Sequence, residues 1–242
     1  IPEGFKVEDL EGIAEDMDGA AKEIGVAIIG GHTEVTPGID SPIIVGVAMG
    51  VTKRYITTGG GKPGSKILLT KGVGLEGTAI LASTFEEELR EKIPGRVIEA
   101  GRRLRREISV VPEATLLAGK EWLLSMHDPT EGGLFLGLHE IADASSLGIR
   151  VYEEAIHIPE PVAEICGVLG GDPYSLLGSG ALLAVIEEGY GDEAVNLLSK
   201  HGIPSWIIGE LLEDGERELV KRDGKKIALP RPRSDEIWRL IK

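Results

Sequence analysis

Two short glycine-rich stretches carry residue types that could do chemistry: Gly30-Gly31-His32-Thr33-Glu34 and Met126-His127-Asp128-Pro129-Thr130-Glu131-Gly132-Gly133. Each interrupts a strongly apolar pattern and sets polar side chains beside paired glycines. Glycine leaves backbone N–H groups uncovered, and such groups at a helix N-terminus favour anions, phosphate above all. An Asp in that setting can hold the divalent cation that accompanies phosphates. The chain is therefore expected to handle a phosphorylated substrate or a nucleotide.

Each stretch has a plainer alternative. Gly30–Glu34 follows the apolar run Val26–Ile29. Its amides could contact phosphate with His32 and Thr33 turned to the ligand, or it could be a tight turn that needs glycine. In the second stretch Pro129 holds Asp128 extended. Thr130 can cap the helix that follows, and Gly132 and Gly133 allow a ligand close. The alternative makes Asp128 or Thr130 an ordinary N-cap. A metal needs more carboxylates than Asp128, and none stands at an obvious spacing.

Other candidates are weaker. Lys71-Gly72-Val73-Gly74-Leu75-Glu76-Gly77-Thr78 follows a strand and opens a helix, but it lacks the Gly-Lys-Ser/Thr ending of a P-loop and the Gly-x-Gly-x-x-Gly of a dinucleotide site. It reads as a strand-to-helix joint. Arg102–Arg106 reads as a solvated basic face in an acidic chain. His139, His157 and His201 are isolated, and Cys166 lies in an apolar helix as a core residue. No Gly-x-Ser-x-Gly elbow supports a serine triad.

The elements that must hold these residues follow from periodicity. Leu10, Ile13, Ala14, Met17, Ala20, Ala21 and Ile24 sit at helical spacing. Strands are expected at Val26–Gly30, Ile43–Val51, Lys66–Thr70, Ile149–Val151, Ala181–Ile186 and Trp206–Glu210. Helices are expected from Thr78, through Glu86–Ile108 with a break at Pro94-Gly95, and over Pro112–Leu124. Others end at Ala144 or cover Pro159–Leu169 and Asp192–His201. Arg222-Asp223-Gly224-Lys225 reads as a hairpin turn, and Ser234 as the cap of a last helix. Strands alternate with helices, but the hairpin and irregular spacing point to α+β or mixed α/β. Gly59–Gly64 is the clearest breaker cluster and divides residues 1–61 from 62–242.

The 242-residue chain is 42% hydrophobic, enough for one large domain or two small ones. Its net charge of −14 argues against nucleic acid or anionic membrane as partners. The single cysteine excludes an internal disulfide. With no apolar stretch of membrane-spanning length and no secretory signal, a cytoplasmic location is expected. The absence of Gln and the single Asn196 lean toward a thermophilic source. The chain begins at Ile1 and enters a helix at once, from which a missing N-terminal part is expected.

Gly30-Gly31-His32-Thr33, Lys62–Thr70, Asp128-Pro129-Thr130-Glu131-Gly132-Gly133, and Asp172-Pro173-Tyr174 leading through Gly178-Ser179-Gly180 to Ala181–Ile186 are collinear. Together they resemble the aminoimidazole ribonucleotide (AIR) synthetase superfamily, most of all its hydrogenase-maturation branch. The resemblance implies a subunit whose N-terminal domain pairs with a second copy around a Mg-ATP site, and whose C-terminal α/β domain closes over it. Residues 1–61 would be the end of that N-terminal domain, with further ATP and magnesium motifs upstream.

It implies ATP and Mg²⁺ as cofactors, a small-molecule substrate and, in this branch, a possible protein partner. Gly30, Gly31, His32, Thr33, Thr130, Gly132 and Gly133 would lie by the phosphates, and Asp128 on metal. Asp128 and His32 are the candidate catalytic side chains. Two departures stand out. Glu131 occupies a place where the hydrogenase-maturation proteins usually have Arg, and Trp238–Lys242 lacks their terminal Cys. The resemblance thus implies an ATP-dependent enzyme without thiocarboxamide chemistry, or a non-catalytic nucleotide-binding or assembly protein.

Overall fold

The structure is a computed structural model describing residues 1–242, in two compact units, Ile1–Arg54 and Tyr55–Lys242.

The first unit opens with helix α1, Val7–Glu23, with Ala21 buried. Gly25 at φ +71° ends it. There the Val26 N–H returns to the Ala21 carbonyl (2.9 Å) and the Gly25 N–H to Lys22 (3.2 Å), a Schellman closure. The rest of the unit runs without regular structure. The Ile1 ammonium donates to the Glu34 carbonyl (2.9 Å), and the Thr36 N–H donates to Ile1 (2.9 Å).

Here the strands expected at Val26–Gly30 and Ile43–Val51 do not form. A strand needs a neighbour to satisfy its N–H and C=O groups, and neither segment has one. Ile29, Val45, Val47 and Met49 are correspondingly exposed.

The second unit is built on seven strands: β1 Lys66–Thr70, β2 Leu123–His127, β3 Gly148–Tyr152, β4 Leu183–Ile186, β5 Ser205–Leu212, β6 Arg217–Val220 and β7 Lys226–Ala228. They form one mixed sheet in the order β2-β4-β1-β5-β3-β6-β7. All neighbours are antiparallel except β3 and β6. The helices are α2 Leu75–Thr84, α3 Glu86–Arg90, α4 Gly95–Arg103, α5 Val111–Ala118, α6 Gly133–Ser145, α7 Glu160–Leu169, α8 Gly191–Lys200 and α9 Ile237–Leu240. None is long and apolar enough to cross a membrane. The mixed α/β class agrees with the sequence reading.

Burial explains why β1 reads Lys-Ile-Leu-Leu-Thr rather than alternating. Ile67 and Leu69 face Leu134, Leu138 and Ile141 of α6. Leu68 faces the other way, onto Leu117 of α5 and Ala194 and Leu198 of α8. Both sides of the central strands are covered, so both must be apolar. Helices α2, α4 and α7 pack together in a separate cluster with Cys166 and Leu176. Where the sheet face is open, charges pair across it: Lys66 with Glu210 (2.7 Å), and Arg150 with Glu218 (2.7 Å).

Several local details differ from expectation. The helix expected over Pro112–Leu124 stops at Ala118, and the chain then turns into β2. Helix α2 starts at Leu75 rather than Thr78. Ser234 caps nothing; the Ile237 N–H of the last helix is taken by Asp235 (2.8 Å).

Candidate functional site

Strand β2 ends at His127 and delivers the chain to Asp128. The His127 ring is fixed from both sides, with Nε2 2.7 Å from Glu140 Oε2 on α6 and Nδ1 3.4 Å from Thr58 Oγ1. Asp128 stands exposed, its carboxylate in no hydrogen bond, while Pro129 behind it is buried. Helix α6 begins after Gly132 with no side-chain cap. Neither Asp128 nor Thr130 is therefore an N-cap. The Thr130 hydroxyl instead acts on the Glu131 carboxylate. Together with Glu131's own backbone N–H, it holds this carboxyl below the usual range against an opposing cost of burial. Glu131 thus adds a second negative charge beside Asp128.

Gly132 and Gly133 are fixed by the fold itself. Their φ angles of +79° and +60° demand glycine. A β-carbon on Gly132 would lie 2.6 Å from Leu136, and one on Gly133 2.5 Å from the Leu176 carbonyl. The Gly132 N–H donates to Asp235 Oδ2 (2.7 Å) and the Gly133 N–H to the Thr130 carbonyl (3.0 Å). Both amides are buried and engaged within the chain. The close approach that their missing side chains permit comes from the chain's own backbone.

The first stretch is different. Gly30 through Glu34 are exposed. Neither glycine has a positive φ, and a β-carbon on Gly30 or Gly31 would meet nothing within 4 Å. The tight-turn alternative fails there, since no turn forms and nothing in the unit demands glycine. His32 and Thr33 are likewise exposed and unpartnered.

The remaining candidates resolve as structural. Lys71 Nζ donates to the Glu107 and Ser109 carbonyls (2.9 and 2.8 Å) and pairs with buried Glu113 (2.9 Å). The Lys71–Thr78 loop is a packed joint. Arg102 and Arg103 pair with Glu86 (3.0 Å) and Glu99 (3.2 Å). His139 is buried, with Nε2 at the Pro230 carbonyl (3.1 Å) and Nδ1 accepting from Arg217 (2.8 Å). Burial, helped by the Arg217 and Arg231 charges, lowers its pKa against the pull of the Pro230 and Leu229 carbonyls. Burial also pushes the Cys166 thiol up to about 12. Nowhere do three or more His, Cys, Asp or Glu side chains gather as a metal cage.

One important residue was not foreseen for this role. Asp235 is 4% exposed, and its two oxygens accept from Gly132, Leu177 (3.2 Å) and Ile237. It lies 103 residues from Gly132 in sequence, and no local pattern links the two.

With this geometry in view, likeness to known proteins can be placed. Residues 62–222 match the family described as AIR synthase related protein, C-terminal domain, and residues 1–52 its N-terminal domain. The chain belongs to the AIR synthase-related family. Its relatives put it with the hydrogenase-maturation branch.

A "Putative hydrogenase expression/formation protein" of Methanocaldococcus jannaschii is 30% identical over 99% of this chain and 70% of its own length. The carbamoyl dehydratase HypE of Cupriavidus necator is 33% identical over 92% of this chain. The chain spans only 62% of that relative. Among solved structures, a HypE–HypF complex aligns at TM-score 0.74 with 28% identity, covering 96% of this chain and 75% of that one. HypE in complex with ATP shares the fold at TM-score 0.73 and 24% identity, covering 98% and 72%.

Proposed function

We propose that this chain works in an ATP-dependent enzyme that transfers a phosphoryl group to a small substrate or activates one of its oxygens. The observation that carries the reading is Asp128, an exposed carboxylate without a hydrogen bond on a loop whose backbone is tied down at Thr130, Gly132 and Gly133. Mg²⁺ keeps several waters and is usually bound through one or two carboxylates plus substrate phosphates, so a lone Asp suits it without a closed cage. The ion would neutralise charge on the phosphates during transfer. In the first unit we assign phosphate contact to the open backbone of Gly30, Gly31 and Thr33, with His32 at hand as a donor. In the second unit Thr130 orients Glu131, and Gly132 and Gly133 shape the loop rather than bind. The HypE–ATP structure supports the nucleotide, and the HypE–HypF complex supports a protein partner. The uncovered apolar side chains of Ile43–Val51 support pairing with a second copy.

Glu131 favours a second reading, a nucleotide-binding or assembly protein without turnover. Its carboxyl, held below the usual range on the same loop as Asp128, would repel the phosphates of a nucleotide whose magnesium Asp128 held. ATP hydrolysis by the protein separates the two. Magnesium-dependent turnover supports the enzyme; nucleotide binding without turnover supports the assembly protein.

A further inference from the structure

We propose that Asp235 is the positioning residue of the Asp128 loop. One buried carboxylate joins three segments that are distant in sequence. Its Oδ2 accepts the Gly132 N–H at 2.7 Å; its Oδ1 accepts Leu177 at 3.2 Å and Ile237 at 2.8 Å. Carboxylate bonds of this kind are stronger than neutral ones. The same three segments meet again nearby. The Gly178 N–H donates to the Thr130 carbonyl (3.2 Å), and the Glu236 N–H to Ser175 (3.2 Å). The Glu236 carboxylate accepts the Asp172 N–H (3.0 Å).

The loop's shape thus depends on a bond at each end of its reversal. Gly133 and Gly178 hold the Thr130 carbonyl, and Asp235 holds Gly132. Between β2 and this anchor the chain has only Asp128 to Glu131 to place. Releasing the Gly132 N–H frees a left-handed glycine pair to rotate, and the Asp128 carboxylate moves with it. Leu229 and Pro230, which lead into the same C-terminal segment, are themselves held by His139 of α6. The segment is therefore tied to α6 at two places.

Asp235→Asn tests this at nearly constant volume. The amide replaces one oxygen by a donor, which must face either Gly132 or the Leu177 and Ile237 amides, donor against donor. Native-state hydrogen exchange at Gly132 and Gly133 should quicken at least tenfold in Asp235→Asn. It should stay within twofold in Glu113→Gln, an equally buried carboxylate tied to Lys71. Exchange within twofold in Asp235→Asn, or an equal rise in Glu113→Gln, would overturn the proposal.

A second arm rests on the reading of Asp128 as a magnesium ligand. The magnesium concentration giving half-maximal ATP binding should rise severalfold in Asp235→Asn. An unchanged value with a loosened loop would also overturn the proposal. If the unmodified protein does not bind Mg-ATP, the reading of function falls, while the exchange result still decides the role of Asp235. Should the variant not fold, the unmodified protein suffices. In it the Gly132 amide should exchange at least tenfold more slowly than in an unstructured chain. Free exchange at Gly132 would overturn the assignment.

Discussion

At Gly132 and Gly133 a side chain would strike Leu136, Tyr174 and Leu176; at Gly30 and Gly31 it would meet nothing within 4 Å. The two pairs look alike in sequence. The first is required by the chain's own backbone, through positive φ and packing. The second is required by nothing in its unit and leaves its amides open. A glycine pair beside polar residues is therefore not one signal. What decides its meaning is whether the space left by the missing side chain is already filled.

The comparison breaks most readily at Gly133. Gly133→Ala forces a side chain into a left-handed backbone and against two carbonyls, which should cost roughly 2–5 kcal/mol. Gly31→Ala should change stability by less than about 0.5 kcal/mol, as surface substitutions do. Chemical denaturation of both variants checks this. Equal losses would erase the difference between the two stretches.

An intermediate effect is expected from pH. In the folded protein burial lowers the His139 pKa from the ordinary 6.5, so the ring takes up a proton less readily there. The unfolded chain binds that proton more readily, so stability should fall as pH drops below about 6.5 and hold above it. Protonation would also set Nδ1 against the Arg217 donor. Thermal melts between pH 8 and 5 should show the decline, and His139→Gln should flatten it. An equal slope in the variant would remove His139 from the account.

The smallest effect concerns Cys166. Its sulfur lies close to Gly171, the glycine on which Leu240 of the C-terminal segment packs. With the thiol pushed up to about 12, alkylation of the folded protein should be slow. It should quicken modestly in Asp235→Asn, whose C-terminal segment is loosened. Rapid alkylation of the unmodified protein would show that this layer is open.

Much of the second unit was legible because its elements announce themselves locally. Lys66–Thr70, Glu160–Leu169 and the Asp223-Gly224 hairpin were all readable from periodicity and turn chemistry. Pro112–Leu124 misled because Leu123-Leu124-Ser125-Met126 continues an apolar run after Gly119, and helix and strand cannot be told apart over so short a stretch. Val26–Gly30 and Ile43–Val51 have strand composition, but pairing is a property of two segments rather than one. The site divides the same way. Asp128 was visible from its place beside Pro129. The commitment of Gly132 was not, since its acceptor is supplied by Asp235 from the far end of the chain.

The most direct test of the account is magnesium-dependent ATP binding by Asp128→Asn. Because Asp128 caps no helix and its carboxylate makes no hydrogen bond, the substitution should leave the melting temperature unchanged within about 1 °C, as expected for an exposed site. Removing the charge should weaken ATP binding in magnesium about tenfold or more, and have little effect on binding measured with the metal chelated. Unchanged affinity in magnesium would contradict the central claim that Asp128 is held out from its loop to meet a cation.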